Sequence, residues 1–141
     1  MTPREPGTPL AKNSQALVAE ARTKIETLSL EDAVARLEDP SVLFVDIRDP
    51  RELDREGTIP GAFHAPRGML EFWVDPESPY YKPELDSGKQ LILFCGSAWR
   101  SSLSAAVLTE MGLPDVTHVE GGFSAWKKAG HPVVERPKRA G

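Results

Sequence analysis

The segment Cys95-Gly96-Ser97-Ala98-Trp99-Arg100-Ser101-Ser102 connects an apolar run to a stretch rich in Ala and Leu. A thiol is therefore expected between a buried strand and the start of a helix, and such a junction attracts anions. Successive N–H groups of a tight loop can point inward, and a helix N-terminus carries about half a positive charge. A cysteine held there is favoured as the thiolate, the form that acts as a nucleophile. Arg100, five residues after the cysteine, adds a rigid donor fork that either orders the loop or meets an anionic substrate. A free cysteine at a strand end is ordinarily a small core residue. Packing does not explain the small residues at 96–98, the arginine and the paired serines.

The rest of the composition narrows the chemistry. Cys95 is the single cysteine of 141 residues, which removes internal disulfides and multi-cysteine metal sites and leaves the thiol free to react. Seventeen Lys and Arg against 21 Asp and Glu give a net charge of −4, which argues against nucleic acid or an anionic membrane as partner. His118 and His131 have no ligand-like spacing, so neither a metal nor a cofactor is expected. His64 is placed to act as an acid or base. The aromatics Phe72, Trp73 and Trp99 are candidates to wall the pocket or to pack as core. Residues 1–9 have three prolines and no apolar stretch of signal-peptide type, and no run approaches a membrane span. The expected compartment is the cytoplasm.

The positioning elements follow from local patterns. Ala16, Leu17, Ala19, Ala21 and Ile25 sit among good helix formers and predict a short helix ahead of the main domain. Ser29-Leu30-Glu31-Asp32 opens a helix ending near Leu37. The apolar runs 42–45 and 91–94 read as strands buried on both faces, ending at Asp46 and Cys95. Since ligands of parallel sheets sit at strand carboxyl ends, these two residues should share one edge. Asp49-Pro50-Arg51-Glu52 caps a helix that stops at Gly57, and 59–62 turns into a brief strand. Residues 66–73 are assigned as helix, 75–88 as a long surface connection, 101–111 as helix, 116–119 as strand and 123–128 as a last helix. Strands alternating with helices predict an α/β fold: a parallel sheet with helices on both faces. Asp46 and Arg48 are expected to support loops structurally, and Arg67, just after the brief strand, is a candidate to attract an anionic donor.

Taken together, these residues resemble a rhodanese domain. Cys95, Arg100 and Ser101 match the family's Cys-x-x-Gly-x-Arg-Ser/Thr loop, with Ala98 in place of the glycine. Val45-Asp46-Ile47-Arg48 resembles its strand ending in Asp-x-Arg. Gly57-Thr58-Ile59-Pro60-Gly61-Ala62 resembles Gly-His-Ile-Pro-Gly-Ala, with Thr58 for histidine, and Gly121-Gly122-Phe123-x-x-Trp126 resembles its closing segment. The resemblance covers about residues 25–134, leaving 1–24 as a flexible lead with a short helix and 135–141 as a basic tail. It implies a three-layer fold with a parallel sheet of about five strands.

The resemblance further implies sulfur transfer from thiosulfate or a similar donor, through a Cys95 persulfide, to a thiophilic acceptor such as cyanide or a thiol. The loop positions Gly96, Ser97, Ala98, Trp99 and Ser101, with Arg67, are then substrate-binding candidates. The opening Cys-Gly-Ser also resembles mercaptopyruvate sulfurtransferases, so 3-mercaptopyruvate is a second possible donor. A protein acceptor, with the domain acting as persulfide relay or interaction module, is the alternative. A cysteine phosphatase fits poorly: related folds use Cys-x5-Arg, whereas four residues separate Cys95 from Arg100 here.

Overall fold

A computed structural model describes residues 3–136; the end of the basic tail, with Lys138 and Arg139, lies outside the described residues. The chain runs α1 (Ser14–Arg22), β1 (Glu26–Leu28), α2 (Leu30–Ala35), β2 (Val42–Asp46), α3 (Pro50–Glu56), β3 (Phe63–His64), α4 (Leu70–Val74), β4 (Gln90–Phe94), α5 (Trp99–Met111), β5 (Val116–Val119) and α6 (Gly122–Lys128). Single 3-10 turns occupy Arg67–Met69 and Pro83–Asp86. All five strands pair in parallel in the order β1-β5-β4-β2-β3. The expected fold class is thus observed.

Local chemistry accounts for most boundaries. Asp49 and Glu52 form a reciprocal capping box on α3, Pro50 supplies its first turn, and Gly57 ends it at φ 80°. Ser29 caps α2 by accepting from the Asp32 N–H. Two expectations need correction. Ile25 lies beyond α1 and is followed by edge strand β1, which was not anticipated. Helix α5 starts at Trp99, two residues earlier than expected.

The period of two along a strand sorts the core into two layers. Leu91, Leu93 and Cys95 join Val45, Leu70, Ala105 and Leu108 on the α4/α5 face. Ile92 and Phe94 join Phe44, Phe123 and Trp126 on the α2/α6 face. Strand parity therefore turns the Cys95 thiol toward the face covered by α5. Helix α1 lies against the outside of α5.

Beside β4, the end of β2 is braced by charge. Asp46 and Arg48 are both fully buried, with Arg48 Nε and Nη2 donating to Asp46 Oδ1 and Oδ2 at 3.0 and 2.8 Å. Nη1 reaches Glu56 and Nη2 the Gly57 carbonyl, tying down the end of α3. The guanidinium lies 4.0 Å from the Phe123 ring centroid, adding cation–π attraction where water is excluded. Thr58 donates its hydroxyl to Asp46 Oδ2 at 2.8 Å, so the threonine at the family's histidine position still engages this pair. Removing one partner strands a buried charge, which costs about 3–5 kcal/mol. Arg48→Met should lose that much stability in urea unfolding, and the double variant Asp46→Leu/Arg48→Met should lose less; a single-variant loss below about 1 kcal/mol would contradict the brace.

Candidate active site

Cys95 follows β4 directly and is only 1% exposed. The Ser101 N–H, in the first turn of α5, points at Sγ across 3.4 Å. First-turn amides have no intrahelical acceptor, so this donor is free to address sulfur. Among the described residues, the N–H groups of Gly96, Ser97, Ala98, Trp99 and Arg100 have no protein acceptor either.

Their orientation is set from α6. Phe123 N–H donates to the Cys95 carbonyl at 2.7 Å and Ser124 N–H to the Gly96 carbonyl at 3.0 Å. In a trans peptide the C=O and N–H point in opposite directions, so the amides of Gly96 and Ser97 are turned away from α6. This approach requires glycine at the helix start. A Cβ on Gly122 would sit 2.5 Å from the Cys95 oxygen and 2.7 Å from the Gly96 oxygen, and its φ is +64°. The Gly-Gly-Phe sequence is therefore a backbone clasp on the cysteine loop.

Arg100 is held from the other side. Its Nη1 and Nη2 donate to Glu52 Oε1 and Oε2 at 2.7 and 3.0 Å, a bidentate fork to α3. The Arg100 hydrogen bonds hold the Glu52 carboxyl below its usual range, and those same bonds raise Arg100, with Cys95 adding a smaller pull. Glu52 escaped the sequence reading because its place in a capping box already accounted for it.

Ala98 is the one non-glycine residue with positive φ among the described residues, at φ 74°. It precedes α5 without a side-chain cap. The Ser102 hydroxyl and N–H both donate to its carbonyl, at 2.6 and 3.1 Å, which holds the turn against a left-handed strain of about 1–2 kcal/mol for an L-residue. The alanine at the family's glycine position thus adopts the left-handed conformation that glycine takes without strain. Ala98→Gly relieves that strain but gives up a buried methyl worth about 0.8 kcal/mol. Chemical denaturation should show stability unchanged or raised by up to about 1 kcal/mol, and a comparable loss would contradict the strain.

Ser101 has a second engagement that the sequence did not reveal. Its hydroxyl meets His118 Nδ1 at 3.0 Å, and His118 Nε2 meets the Thr27 hydroxyl at 2.7 Å. His118 is fully buried, and burial, with a smaller contribution from Arg22, pushes it down from 6.5 to about 4. Between these values the unfolded chain binds the extra proton, so stability rises with pH. The contribution is complete above pH 6.5 and is lost as pH falls toward 4. Wild type should therefore lose about 3 kcal/mol more than His118→Asn over that interval in pH-dependent urea unfolding; parallel pH profiles would contradict it.

The remaining candidates are more dispersed. Arg67 is exposed on its 3-10 turn; its N–H donates to the Ile47 carbonyl, and no hydrogen bond joins its side chain to the cysteine loop. His64 donates its Nε2–H to the Arg48 carbonyl at 2.8 Å, which leaves Nδ1 as the basic nitrogen and ties the ring to the end of β2. Trp99 is 60% exposed and walls a cavity of about 290 Å³ with Ser14, Gln15, Val18, Ala19 and Arg22. Phe72 is exposed, while Trp73 packs at the edge of the α4/α5 core.

A parallel α/β sheet with a cysteine loop at one strand end, clasped by a glycine-started helix, defines the class. The rhodanese-like domain pattern matches residues 29–129, and the chain belongs to that family. A sulfurtransferase from Allochromatium vinosum is 32% identical over 111 residues, 79% of this chain and 94% of its own. A polysulfide-sulfur transferase homodimer from Wolinella succinogenes is 31% identical with a TM-score of 0.66, over 86% of this chain and 87% of its own. A protein of unknown function from Rhodopseudomonas palustris, described as a possible tyrosine phosphatase, is 46% identical with a TM-score of 0.86, over 90% of this chain and 98% of its own. The two sulfurtransferase relatives and the fold support sulfur transfer in general terms. Among the described residues, no helix is long and apolar enough to cross a membrane.

Proposed function

We propose that the chain is a sulfurtransferase in which Cys95 carries the sulfur as a persulfide. The Cys95 thiolate attacks the sulfane sulfur of thiosulfate, the S–S bond of the donor breaks, and sulfite leaves with the bonding pair. The outer sulfur of the resulting Cys–S–S⁻ then passes to a nucleophile. With cyanide the products are thiocyanate and the original thiolate, and neither half-reaction needs a redox cofactor.

The observation that carries this reading is the Ser101 N–H at 3.4 Å from Sγ, beside five loop amides without protein acceptors among the described residues. Donors fixed before the charge arrives stabilise an anion without reorganisation, as in an oxyanion hole. The loop positions Gly96, Ser97, Ala98 and Trp99 are the proposed cradle, and Arg100 orders it through Glu52. Arg67 is proposed as an outer attraction for a dianionic donor, and Asp46 with Arg48 as scaffold. A free thiol suits the reducing cytoplasm, where we place its action.

Phosphatase chemistry fits less well. Only four residues separate Cys95 from Arg100, leaving a smaller cradle than a Cys-x5-Arg loop, and the Nη1/Nη2 edge of Arg100 is committed to Glu52. A persulfide relay to a protein acceptor is the second reading, favoured by the exposed indole of Trp99 beside the loop.

Intact mass after incubation with thiosulfate, or separately with 3-mercaptopyruvate, decides between these readings. One added sulfur atom is expected on wild type and none on Cys95→Ser, with cyanide removing it as thiocyanate. Sulfur retained on Cys95→Ser would overturn the mechanism, and no gain from either donor would favour the relay.

A further inference from the structure

We propose that His118 is a positioning residue for Cys95: through Nδ1 it holds the Ser101 hydroxyl, and with it the Ser101 N–H that donates to Sγ. The proposal rests on the reading of Cys95 as nucleophile and assigns to the site a residue from a different strand. His118 lies 17 residues beyond Ser101 in sequence, and the link is a continuous chain of contacts, Thr27 Oγ1 to Nε2 at 2.7 Å, Nδ1 to Ser101 Oγ at 3.0 Å and Ser101 N to Sγ at 3.4 Å.

A fully buried imidazole in the middle of a strand is costly unless both nitrogens are satisfied. Here both neighbours are hydroxyls, which donate or accept as needed, so either neutral tautomer completes the chain. The ring is thereby fixed in rotation, and Ser101 is fixed with it. Groups facing the ring are Thr27 of β1, Ser101 of α5, the uncharged Leu93 in register on β4 and, as the nearby charge, Arg22 of α1. Burial and Arg22 both disfavour the imidazolium, so the ring stays neutral at pH 7. Transfer of sulfur between thiolate and persulfide requires no proton from it. A neutral spacer with two fixed hydrogen bonds meets the geometric need.

The two ring nitrogens can be tested separately, because an asparagine amide reaches the place of Nδ1 and a glutamine amide that of Nε2. The readout is alkylation of Cys95 by iodoacetamide at pH 7, which needs no sulfur donor. His118→Gln, which keeps the Thr27 contact and loses the Ser101 contact, should slow alkylation about tenfold, as expected when one hydrogen bond to a charged group is weakened. Ser101→Ala should do the same, and combining the two should cost no more than either alone. His118→Asn should recover most of the rate, with a thermal midpoint close to that of His118→Gln. Should the buried replacements fail to fold, Ser101→Ala carries the test. Equal slowing by Asn and Gln, additive effects, or an unchanged rate in Ser101→Ala would overturn the role of His118. An unreactive Cys95 in wild type would overturn the nucleophile reading as well, whereas a reactive wild type with unaffected variants would overturn the positioning role alone.

Discussion

Two hydrogen bonds from the start of α6 to the carbonyls of Cys95 and Gly96 constrain everything else at the site. A loop that follows a buried strand has backbone groups facing two ways, and which way the donors face decides whether it attracts or repels an anion. By taking both carbonyls, α6 turns the following N–H groups away from itself. That capture needs a helix start with no side chain, and Gly122 meets this requirement where a Cβ would collide with both oxygens. It also needs α6 anchored on the opposite face of the sheet. Trp126 and Phe123 supply the anchor, buried against Phe44 and Phe94.

Guanidinium forks hold the elements around this clasp. Arg48 couples the end of β2 to the end of α3 and lies against Phe123 of α6. Arg100 couples the start of α5 to the start of α3 through Glu52. Helix α3 is thus gripped at both ends, and α5 and α6 are referenced to it. The two pairs differ in energy. The Asp46–Arg48 pair is sealed from water, so breaking it is severe, whereas the Glu52–Arg100 pair is partly exposed and its value lies more in geometry than in stability.

The sequence made much of this legible where the cause was local. Caps at Ser29 and Asp49, the glycine at 57 and the apolar runs ending at Asp46 and Cys95 each act within a few residues, and the elements they imply are present. Strand β1 was not legible, because Glu26-Thr27-Leu28 is a three-residue strand directly after helix-forming residues, too short to show alternation. The start of α5 was set too late because Ala98 ends the loop by a left-handed turn rather than by a capping side chain. Glu52 and His118 were missed as site residues because their partners are distant in sequence and meet only once the sheet order is formed. The consecutive glycines at 121 and 122 were the one readable sign of a close backbone approach.

The central claim is that the amides between Gly96 and Ser101 hold the sulfur anion, and it is tested most directly by assigned 1H–15N spectra of the protein before and after one sulfur is loaded onto Cys95. We expect the largest shifts at the amides of Gly96 to Ser101, with those of Phe123 and Ser124 little changed because their carbonyl bonds persist. A fully loaded protein whose loop amides do not move, or whose largest shifts lie away from the loop, would contradict the account.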